Sequence, residues 1–217
     1  MPAEFVLQGR LVRLRPMVES DIADYERWYM PGRKSAEFDG PWFRGVADGS
    51  LDRAIERLRK WLGADGQPPY RRLEIDVADR GHVGWVIAYV HSDDPHMTEA
   101  GIDIAEDSLW NQGLGTEAFG LWVDYLFDAF SLTRLGYSTW SGNPRMIRVG
   151  EKLGFVREGR IRRGCEVNGQ FYDRIKLGLL REEWQAQAGR ARQFKMQNAE
   201  CRLQNGGLGS QSRDTAD

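Results

Sequence analysis

The chain has 217 residues, with 30 Lys and Arg against 32 Asp and Glu, so its formal net charge is only −2. That length favours a single domain with a sizeable core, and the charge balance gives no reason to expect nucleic acid or an anionic membrane as a partner. Two cysteines are too few for a disulfide framework, and no Cys–His spacing is typical of a zinc site. No stretch approaches the roughly 18 apolar residues of a membrane span, so we expect a soluble, cytoplasmic protein without a metal.

The first third of the chain predicts one strand and two helices. Residues 5–17 alternate apolar and basic side chains, which predicts a half-exposed strand. Residues 19–29 predict a helix whose start carries Ser20 and Asp21, residue types that cap helices. A second helix is predicted over residues 51–62, because four apolar side chains recur there at helical spacing. They are Leu51, Ile55, Leu58 and Leu62.

Residues 31–49, between these helices, are rich in Gly, Pro and aromatic side chains. Phe38, Trp42 and Phe43 are the aromatic residues of interest. This composition predicts an ordered loop, and aromatic side chains in a loop usually cover a core or a ligand.

The middle of the chain predicts an antiparallel meander. Residues 72–78, 83–91 and 98–105 are apolar-alternating runs separated by turn residues. The remaining elements follow as a helix over 113–130, a strand over 135–141, a helix over 143–153 and strands over 155–163 and 171–180. The last two strands flank Asn168-Gly169, a strong hairpin dipeptide. We expect a domain over residues 1–185 and, from its Gln-, Gly- and Ser-rich composition, a partly helical or disordered extension over 186–217.

A glycine-bearing turn at residues 110–118 follows the meander directly and enters a helix. A helix start has unpaired N–H groups and a partial positive charge, and Gly113 and Gly115 keep side chains away from an approaching phosphate. The turn lacks both the dinucleotide pattern G-x-G-x-x-G and the Gly-Lys-Ser/Thr of a P-loop. Such turns also occur as ordinary strand-to-helix connections, so the surrounding sequence has to decide between the two readings.

Two ordered motifs resemble those of the GCN5-related N-acetyltransferases, the GNAT family. The turn is similar to the family's acyl-CoA motif, Q/R-x-x-G-x-G/A, and Asn143 followed by Glu151-Lys152-Leu153-Gly154-Phe155 matches its second landmark. The opening residues 7–16, Trp110 and Tyr172-Asp173 are similar to the RimJ and RimL subgroup. The resemblance covers residues 5–184. It implies an α/β (α+β) fold: a central mixed, mostly antiparallel sheet of seven strands, splayed between strands four and five and flanked by helices.

Three residues depart from the family pattern. Trp110 stands where the family usually has Gln or Arg, so the turn is expected to rely more on backbone amides. Gly150 stands where many members have a Tyr that protonates the departing thiolate, which leaves that role vacant or moved. Met146 replaces a small polar residue that RimJ and RimL relatives often carry.

The resemblance implies binding of acetyl-CoA as cosubstrate. Backbone groups near Ile102 to Ile104 would pair with pantetheine, with one N–H facing the oxyanion, and the turn amides would hold the pyrophosphate. Asn143 could bond the pantetheine arm or order a water, and could equally be a helix cap. The residues expected to bind the cofactor are Ile102, Asp103, Ile104, Gln112, Gly113, Leu114, Gly115, Thr116, Asn143 and Arg148.

The resemblance also implies direct attack of an amine on the thioester, without a covalent enzyme intermediate. Glu99 is the first candidate for the general base, and Asp103 lies four positions along on the same face of the strand. Asn143 is a further candidate catalytic residue. Tyr172 could replace the missing acid, although an aromatic residue in a final strand is also expected from packing alone.

Local charge predicts opposite sides for the two substrates. Residues 142–163 carry seven Arg or Lys against two Glu, which suits CoA phosphates, whereas residues 91–107 carry six carboxylates and residues 19–52 carry eight, which suits a cationic amine. The acceptor is predicted to be a protein N-terminus, with an aminoglycoside or polyamine as the alternative. A non-catalytic acyl-CoA sensor is a third hypothesis. Edge strands also favour pairing of two copies into a homodimer.

Overall fold

An eight-stranded sheet organises the molecule. The computed structural model describes residues 5–30, 33–38, 51–62, 67–90 and 94–187. The strands are β1 (Leu7–Gln8), β2 (Val12–Arg15), β3 (Arg72–Val77), β4 (Gly81–Tyr89), β5 (Glu99–Ile104), β6 (Arg134–Trp140), β7 (Val156–Val167) and β8 (Gln170–Leu180). Their order in the sheet is β1-β2-β3-β4-β5-β6-β8-β7, and every neighbouring pair is antiparallel except β5 with β6. The predicted mixed, mostly antiparallel sheet is therefore confirmed.

Four α-helices flank the sheet. They are α1 (Ile22–Trp28), α2 (Leu51–Arg59), α3 (Leu114–Ala129) and α4 (Pro144–Lys152). Short 3-10 turns occur at Glu19–Asp21, Lys34–Glu37, Lys60–Leu62, Pro95–Met97 and Asp107–Leu109. Residues 181–187 are also helical. None of the described helices is long and apolar enough to cross a membrane.

The predicted first strand is in fact a hairpin, which raises the number of strands from seven to eight. The amide of Gly9 donates to the carbonyl of Val12 at 2.9 Å, and β1 pairs with β2 from Leu7 opposite Leu14. The turn lies against α3, because the Glu117 carboxylate accepts the Leu11 amide at 2.6 Å. Gly9 and the adjacent apolar residues Leu11 and Val12 interrupt the alternation at this turn, which is the signal in the sequence that would have indicated it.

The sheet is buried on both faces near β3. On one face α1 and α2 form a core with Trp85 at its margin; its buried members are Met17, Ile22, Tyr25, Trp28, Ile55, Leu58 and Ala105. Leu51 and Leu62 pack against this core, which confirms the predicted apolar face of the second helix. Helix α3 covers the opposite face, where Ile104 lies next to Gly115.

Asp21 does not cap α1 as predicted. No side-chain capping bond is formed at the start of this helix. The Asp21 carboxylate instead accepts both terminal nitrogens of Arg15, at 2.7 and 2.8 Å, and the Val18 amide at 2.8 Å. Asp21 therefore caps the 3-10 turn Glu19–Asp21 that precedes α1, at the Val18 amide, while a charge-assisted bidentate pair joins it to Arg15.

Strands β5 and β6 separate almost as soon as they meet. Their only pair in the described sheet joins Glu99 to Gly136, and the Gly136 amide also donates to the Thr98 carbonyl at 3.0 Å. Beyond this point β5 continues to pair with β4 as far as Ile104. The predicted splay between the fourth and fifth predicted strands is therefore confirmed, and it leaves one edge of β5 open.

The chain divides into a compact unit over residues 1–181 and a second unit over residues 182–217. The domain boundary predicted at residue 185 stays a prediction. The extension is described only as far as residue 187, and the loop residues Trp42 and Phe43 lie outside the described residues as well.

Candidate active site

Two neighbouring cavities lie on either side of the open end of β5. The larger has a volume of about 380 Å³ and extends to the start of α3 and along α4. The smaller has a volume of about 230 Å³ and extends over β4, β5 and β6. Both are lined by Phe38, Ile102, Asp103, Asn143 and Met146. A molecule in one cavity can therefore meet a molecule in the other at this shared boundary.

The start of α3 gives the larger cavity an anion-binding end. Gly113 is the N-cap, has a left-handed φ of +89° and leaves the helix start without a side-chain cap. The next three residues, Leu114 to Thr116, also line the cavity. Amides in the first turn of a helix lack intrahelical partners and carry partial positive charge. This end therefore fits a phosphate group.

Helix α4 adds a row of cations to the same cavity. Arg145, Arg148 and Lys152 line it together with Val149, and these positions recur at the three- and four-residue spacing of one helical face. Arg148 was predicted, whereas Arg145 and Lys152 were not. The helical spacing of the three basic residues is the signal in the sequence that would have identified them.

Trp110, the first departure from the family motif, takes part in a stack at the wall of the larger cavity. Its indole N–H donates to the Ile104 carbonyl at 2.8 Å. The guanidinium of Arg145 lies 4.2 Å from the Trp110 ring and 4.1 Å from the Phe38 ring. The two aromatic rings therefore hold a cation beside Trp110, the position at which this turn lacks the polar residue of the family motif.

The open edge of β5 presents the backbone of Ile102. The Thr98 carbonyl bonds on the β6 side, whereas the Ala105 amide donates to Val83 on the β4 side at 2.9 Å. Backbone groups of successive strand residues point alternately to the two edges. Ile102 therefore presents its N–H and C=O toward β6, at the boundary of the two cavities.

The smaller cavity has aromatic walls and two carboxylates. Tyr29, Phe38, Trp85, Tyr89, Tyr137 and Trp140 supply the aromatic lining. Glu99 accepts a hydrogen bond from the Ser138 hydroxyl at 2.9 Å and lies 3.8 Å from the Lys176 ammonium. Asp103 forms an ion pair at 3.3 Å with Arg33, whose guanidinium lies 5.7 Å from the Trp85 ring. Arg33 thus offsets one of the two negative charges.

Asn143 is a helix cap that also holds the segment above the site. Its side-chain oxygen accepts the Met146 amide at 3.1 Å at the start of α4. Its side-chain nitrogen donates to the Phe38 carbonyl at 3.2 Å. The capping role weighed from the sequence is therefore present, and Asn143 joins two segments that line both cavities.

The glycine at the position of the family's acidic Tyr has a packing reason. A Cβ at Gly150 would lie 1.9 Å from the hydroxyl oxygen of Tyr137. That hydroxyl donates to the Met146 carbonyl at 3.1 Å, and burial raises the pKa of Tyr137 above its usual value. Tyr137 of β6 thus fills the space at the base of α4, and its proton is held on a backbone acceptor.

Most of the predicted site residues lie together. Those lining at least one cavity are Glu99, Ile102, Asp103, Ile104, Gly113, Leu114, Gly115, Thr116, Asn143 and Arg148. Gln112 is not among the lining residues, and its side-chain amide donates to the Ser108 carbonyl at 3.0 Å. Tyr172 also lies outside both linings; its hydroxyl donates to Gln170 and its ring packs on Trp140 at 4.8 Å. The structure thus gives Tyr172 the packing contact that was the alternative interpretation.

Comparison with known proteins places this geometry in a family. The model of the GNAT acetyltransferase domain matches residues 11–156. YokL of Bacillus subtilis (strain 168), an uncharacterized N-acetyltransferase derived from the SPbeta prophage, is 31% identical over 83% of this chain and 96% of its own length. YdaF of the same organism, named as a candidate ribosomal N-acetyltransferase, is 33% identical, and the match spans about half of that protein, 48%.

A solved structure shares the fold. The spermidine N-acetyltransferase from Vibrio cholerae, in complex with CoA and spermine, matches 81% of this chain and 99% of its own with a TM-score of 0.67. Its sequence identity is 20%, so this likeness concerns the fold alone. The family model and the nearly full-length match to YokL decide the family. The chain belongs to the GNAT family and is an N-acetyltransferase.

Proposed function

We propose that this enzyme transfers an acetyl group from acetyl-CoA to the α-amine of a protein N-terminus. The observation that carries the proposal is the meeting of the two cavities at the open edge of Ile102. The larger cavity takes the cofactor and the smaller takes the acceptor. The thioester then lies at the boundary, within reach of both.

The larger cavity has the chemistry that CoA requires. The amides of Leu114, Gly115 and Thr116 face a space bordered by Arg148 and Lys152, which suits the negative phosphates. Cofactor binding at these residues is supported by the anion-binding geometry and by family membership.

The amine attacks the thioester carbonyl directly, and the Ile102 amide supplies a hydrogen bond to the oxyanion that forms. Glu99 receives the proton of the amine, directly or through one water, and the C–S bond then breaks to release the CoA thiolate. An α-amine has a pKa near 8, whereas a lysine amine has a pKa near 10.4. A carboxylate base therefore suits an α-amine, part of which is already neutral near pH 7.

The charge of the smaller cavity favours an acceptor with one amine. Its described lining carries the Arg33–Asp103 pair and Glu99, and Glu99 also lies 3.8 Å from the Lys176 ammonium, so little net negative charge is left to attract a multiply charged cation. Aromatic walls such as Trp85 and Trp140 offer apolar area to the first side chain of a peptide. The candidate ribosomal acetyltransferase YdaF and the RimJ and RimL resemblance support the same acceptor class.

A polyamine is the second candidate. It is favoured by aromatic walls beside two carboxylates, an arrangement that attracts cations. The fold is also shared with a spermidine N-acetyltransferase. A multiply charged amine would then have to displace Arg33 from Asp103, because that carboxylate is already paired.

A thiol-release assay decides between the candidates. We would measure CoA thiol formation with acetyl-CoA and a panel of N-terminal peptides, spermidine, spermine and aminoglycosides. Peptides should show a kcat/KM at least about tenfold above that of any small amine, a preference of about 1.4 kcal/mol. A higher value for spermidine would overturn the protein acceptor, and CoA binding without thiol release for any amine would instead support a sensor.

A further inference from the structure

We infer that Arg145 binds the diphosphate of CoA and replaces, from α4, the polar residue that the phosphate turn lacks at Trp110. The inference rests on the proposed cofactor site. It concerns a residue outside the turn, brought to the phosphate end by two aromatic rings.

The position of the guanidinium is set by stacking. The guanidinium lies 4.1 Å from the Phe38 ring and 4.2 Å from the Trp110 ring, and the two rings contact each other edge-on at 5.7 Å, so they form a corner around it. Trp110 is itself fixed by its hydrogen bond to the Ile104 carbonyl, and Phe38 by the bond that its carbonyl accepts from Asn143. Arg145 is therefore held in one orientation before any ligand arrives, which reduces the entropic cost of binding.

The aromatic contacts position the guanidinium but give its Nη2 no hydrogen-bond acceptor. Nη2 of Arg145 is buried and has no hydrogen-bond partner among the residues that the structure describes. A buried charged donor without an acceptor is costly, so its persistence calls for a partner other than the residues that the structure describes. An anionic oxygen entering the larger cavity, which Arg145 lines, provides such an acceptor.

The phosphate end of the cavity identifies the anion. Arg145 contacts the ring of Trp110, three residues before the Gly113 cap of α3, and lines the same cavity as the residues of the turn. A planar guanidinium binds phosphate oxygens through two parallel N–H donors, a geometry that a lysine lacks. Trp110 thus places an aromatic ring where the motif usually has a polar residue, and Arg145 on α4 supplies the positive charge.

Affinity measurements on truncated cofactors test this assignment. Arg145→Met removes the donors at similar length, and we expect about a 10- to 100-fold loss in affinity for CoA and for dephospho-CoA by titration calorimetry, as is typical of hydrogen bonds to charged groups. Affinity for pantetheine, which has no phosphate, should stay within about twofold of the wild type. Arg157→Met is the matched control, because Arg157 is exposed, pairs with Glu151 and lies outside the cavity lining.

The outcomes separate the inference from the function on which it rests. An equal loss for pantetheine would overturn the assignment in favour of a role in shaping the cavity. A loss for CoA but not for dephospho-CoA would place Arg145 on the 3′-phosphate and overturn the diphosphate assignment. Failure of the folded wild type to bind CoA would reject the proposed cofactor site itself.

A relocation variant gives a second measurement. Trp110→Arg combined with Arg145→Met restores a cation at the family's usual position, and we expect its CoA affinity to exceed that of Arg145→Met alone by about fivefold or more. Melting temperatures of both variants confirm that each is folded. A folded double variant with no recovery would contradict the inference that the two positions serve the same phosphate.

Discussion

The two cavities are built in different ways. The larger is lined at its phosphate end by backbone amides of one helix start and by cations on one face of a neighbouring helix. The smaller is lined by side chains from β4, β5, β6 and the segments before α2, which lie far apart in the chain. The proposed cofactor site is thus built from local, regular structure, whereas the proposed acceptor site depends on which distant side chains pack together.

Their supports differ as well. Beneath the larger cavity, α4 rests on an aromatic group in which Phe119, Tyr137 and Phe155 contact one another at centroid distances of 5.1 to 5.8 Å. Beside the smaller cavity, α1 is tied to the sheet by a network of buried charges. His82 lies 2.9 Å from Glu74 and 3.0 Å from Asp24, and the Tyr25 hydroxyl also donates to Glu74. The first support consists of aromatic side chains, whereas the second contains carboxylates and a histidine whose protonation changes with pH.

The largest expected effect is at the phosphate turn. Gly113→Asp adds backbone strain at a φ of +89° and places a carboxylate where an anion binds. We expect CoA affinity to fall by about 1,000-fold, roughly 4 kcal/mol, measured by titration calorimetry. Gly169→Asp is the matched control, because its φ is +77° in the β7–β8 turn and the space around it is open. Unchanged affinity in Gly113→Asp would refute the placement of the diphosphate.

A smaller but more selective effect is expected in the acceptor cavity. Glu99→Gln removes the proposed base while keeping a group that can bond Ser138, so kcat should fall about 100-fold with CoA affinity unchanged. Stopped-assay kinetics and calorimetry measure the two quantities separately. The exposed Glu166 of β7, changed to Gln, is the control for lost charge. A wild-type kcat would show that Asp103 or a water chain accepts the proton.

Packing beneath α4 should respond to a single methyl group. Gly150→Ala places a Cβ against the Tyr137 ring, 2.7 Å from its Cζ atom, and we expect the free energy of unfolding to fall by about 1–3 kcal/mol. Denaturant titration measures this change. Gly159→Ala, whose Cβ would be 3.8 Å from Lys176, should be tolerated. Equal stability of the two variants would mean that Tyr137 does not explain the glycine.

The smallest expected effect is a dependence of stability on pH that arises beside the acceptor cavity. Burial lowers the pKa of His82, but hydrogen bonding and charge from Glu74, with Asp21 and Asp24, outweigh it and raise the pKa above its ordinary value of 6.5. The stability that protonated His82 contributes is therefore complete below about pH 6.5 and is lost as pH rises through the folded-state pKa.

Melting curves of the wild type and His82→Asn measure this contribution. The difference in Tm should be largest near pH 6 and shrink by a few degrees toward pH 9, at about 2–4 °C per kcal/mol for a chain of this size. The exposed His96, changed to Asn, controls for loss of a histidine. A difference that stays constant with pH would exclude a titrating role for His82.

Protonation of Glu74 should weaken the same network at low pH. Burial raises the pKa of Glu74, but the charge of Arg72 and the hydrogen bond with His82 lower it to about 2. Its contribution is present above its ordinary value of 4.5 and is lost as pH falls toward 2. The described aromatic support of the larger cavity, formed by Phe119, Tyr137 and Phe155, contains no carboxylate or histidine.

The sequence by itself determined the elements whose signals are local. The turn at Gly113, the Asn143 landmark and the Asn168-Gly169 hairpin were identified because each depends on backbone conformation within a few residues, and both hairpin residues do adopt positive φ. Apolar periodicity likewise predicted the face of α2 and the strands of the meander, whereas the splay was implied by the family resemblance. The missed hairpin of β1 and β2 shows the limit, because alternation on either side of a tight turn predicts the faces of a strand and not where the chain reverses.

Only the tertiary structure decided which side chains meet at the site. Phe38 contacts Asn143 across 105 positions, Arg33 pairs with Asp103, and Tyr137 fills the space at Gly150. Two of the three departures from the family pattern have a counterpart on a distant element: Arg145 stacks on Trp110, and Tyr137 excludes a side chain at residue 150. A linear pattern specifies the face on which a residue lies, but its partner is set by how separate elements pack, since packing joins positions that the sequence keeps apart.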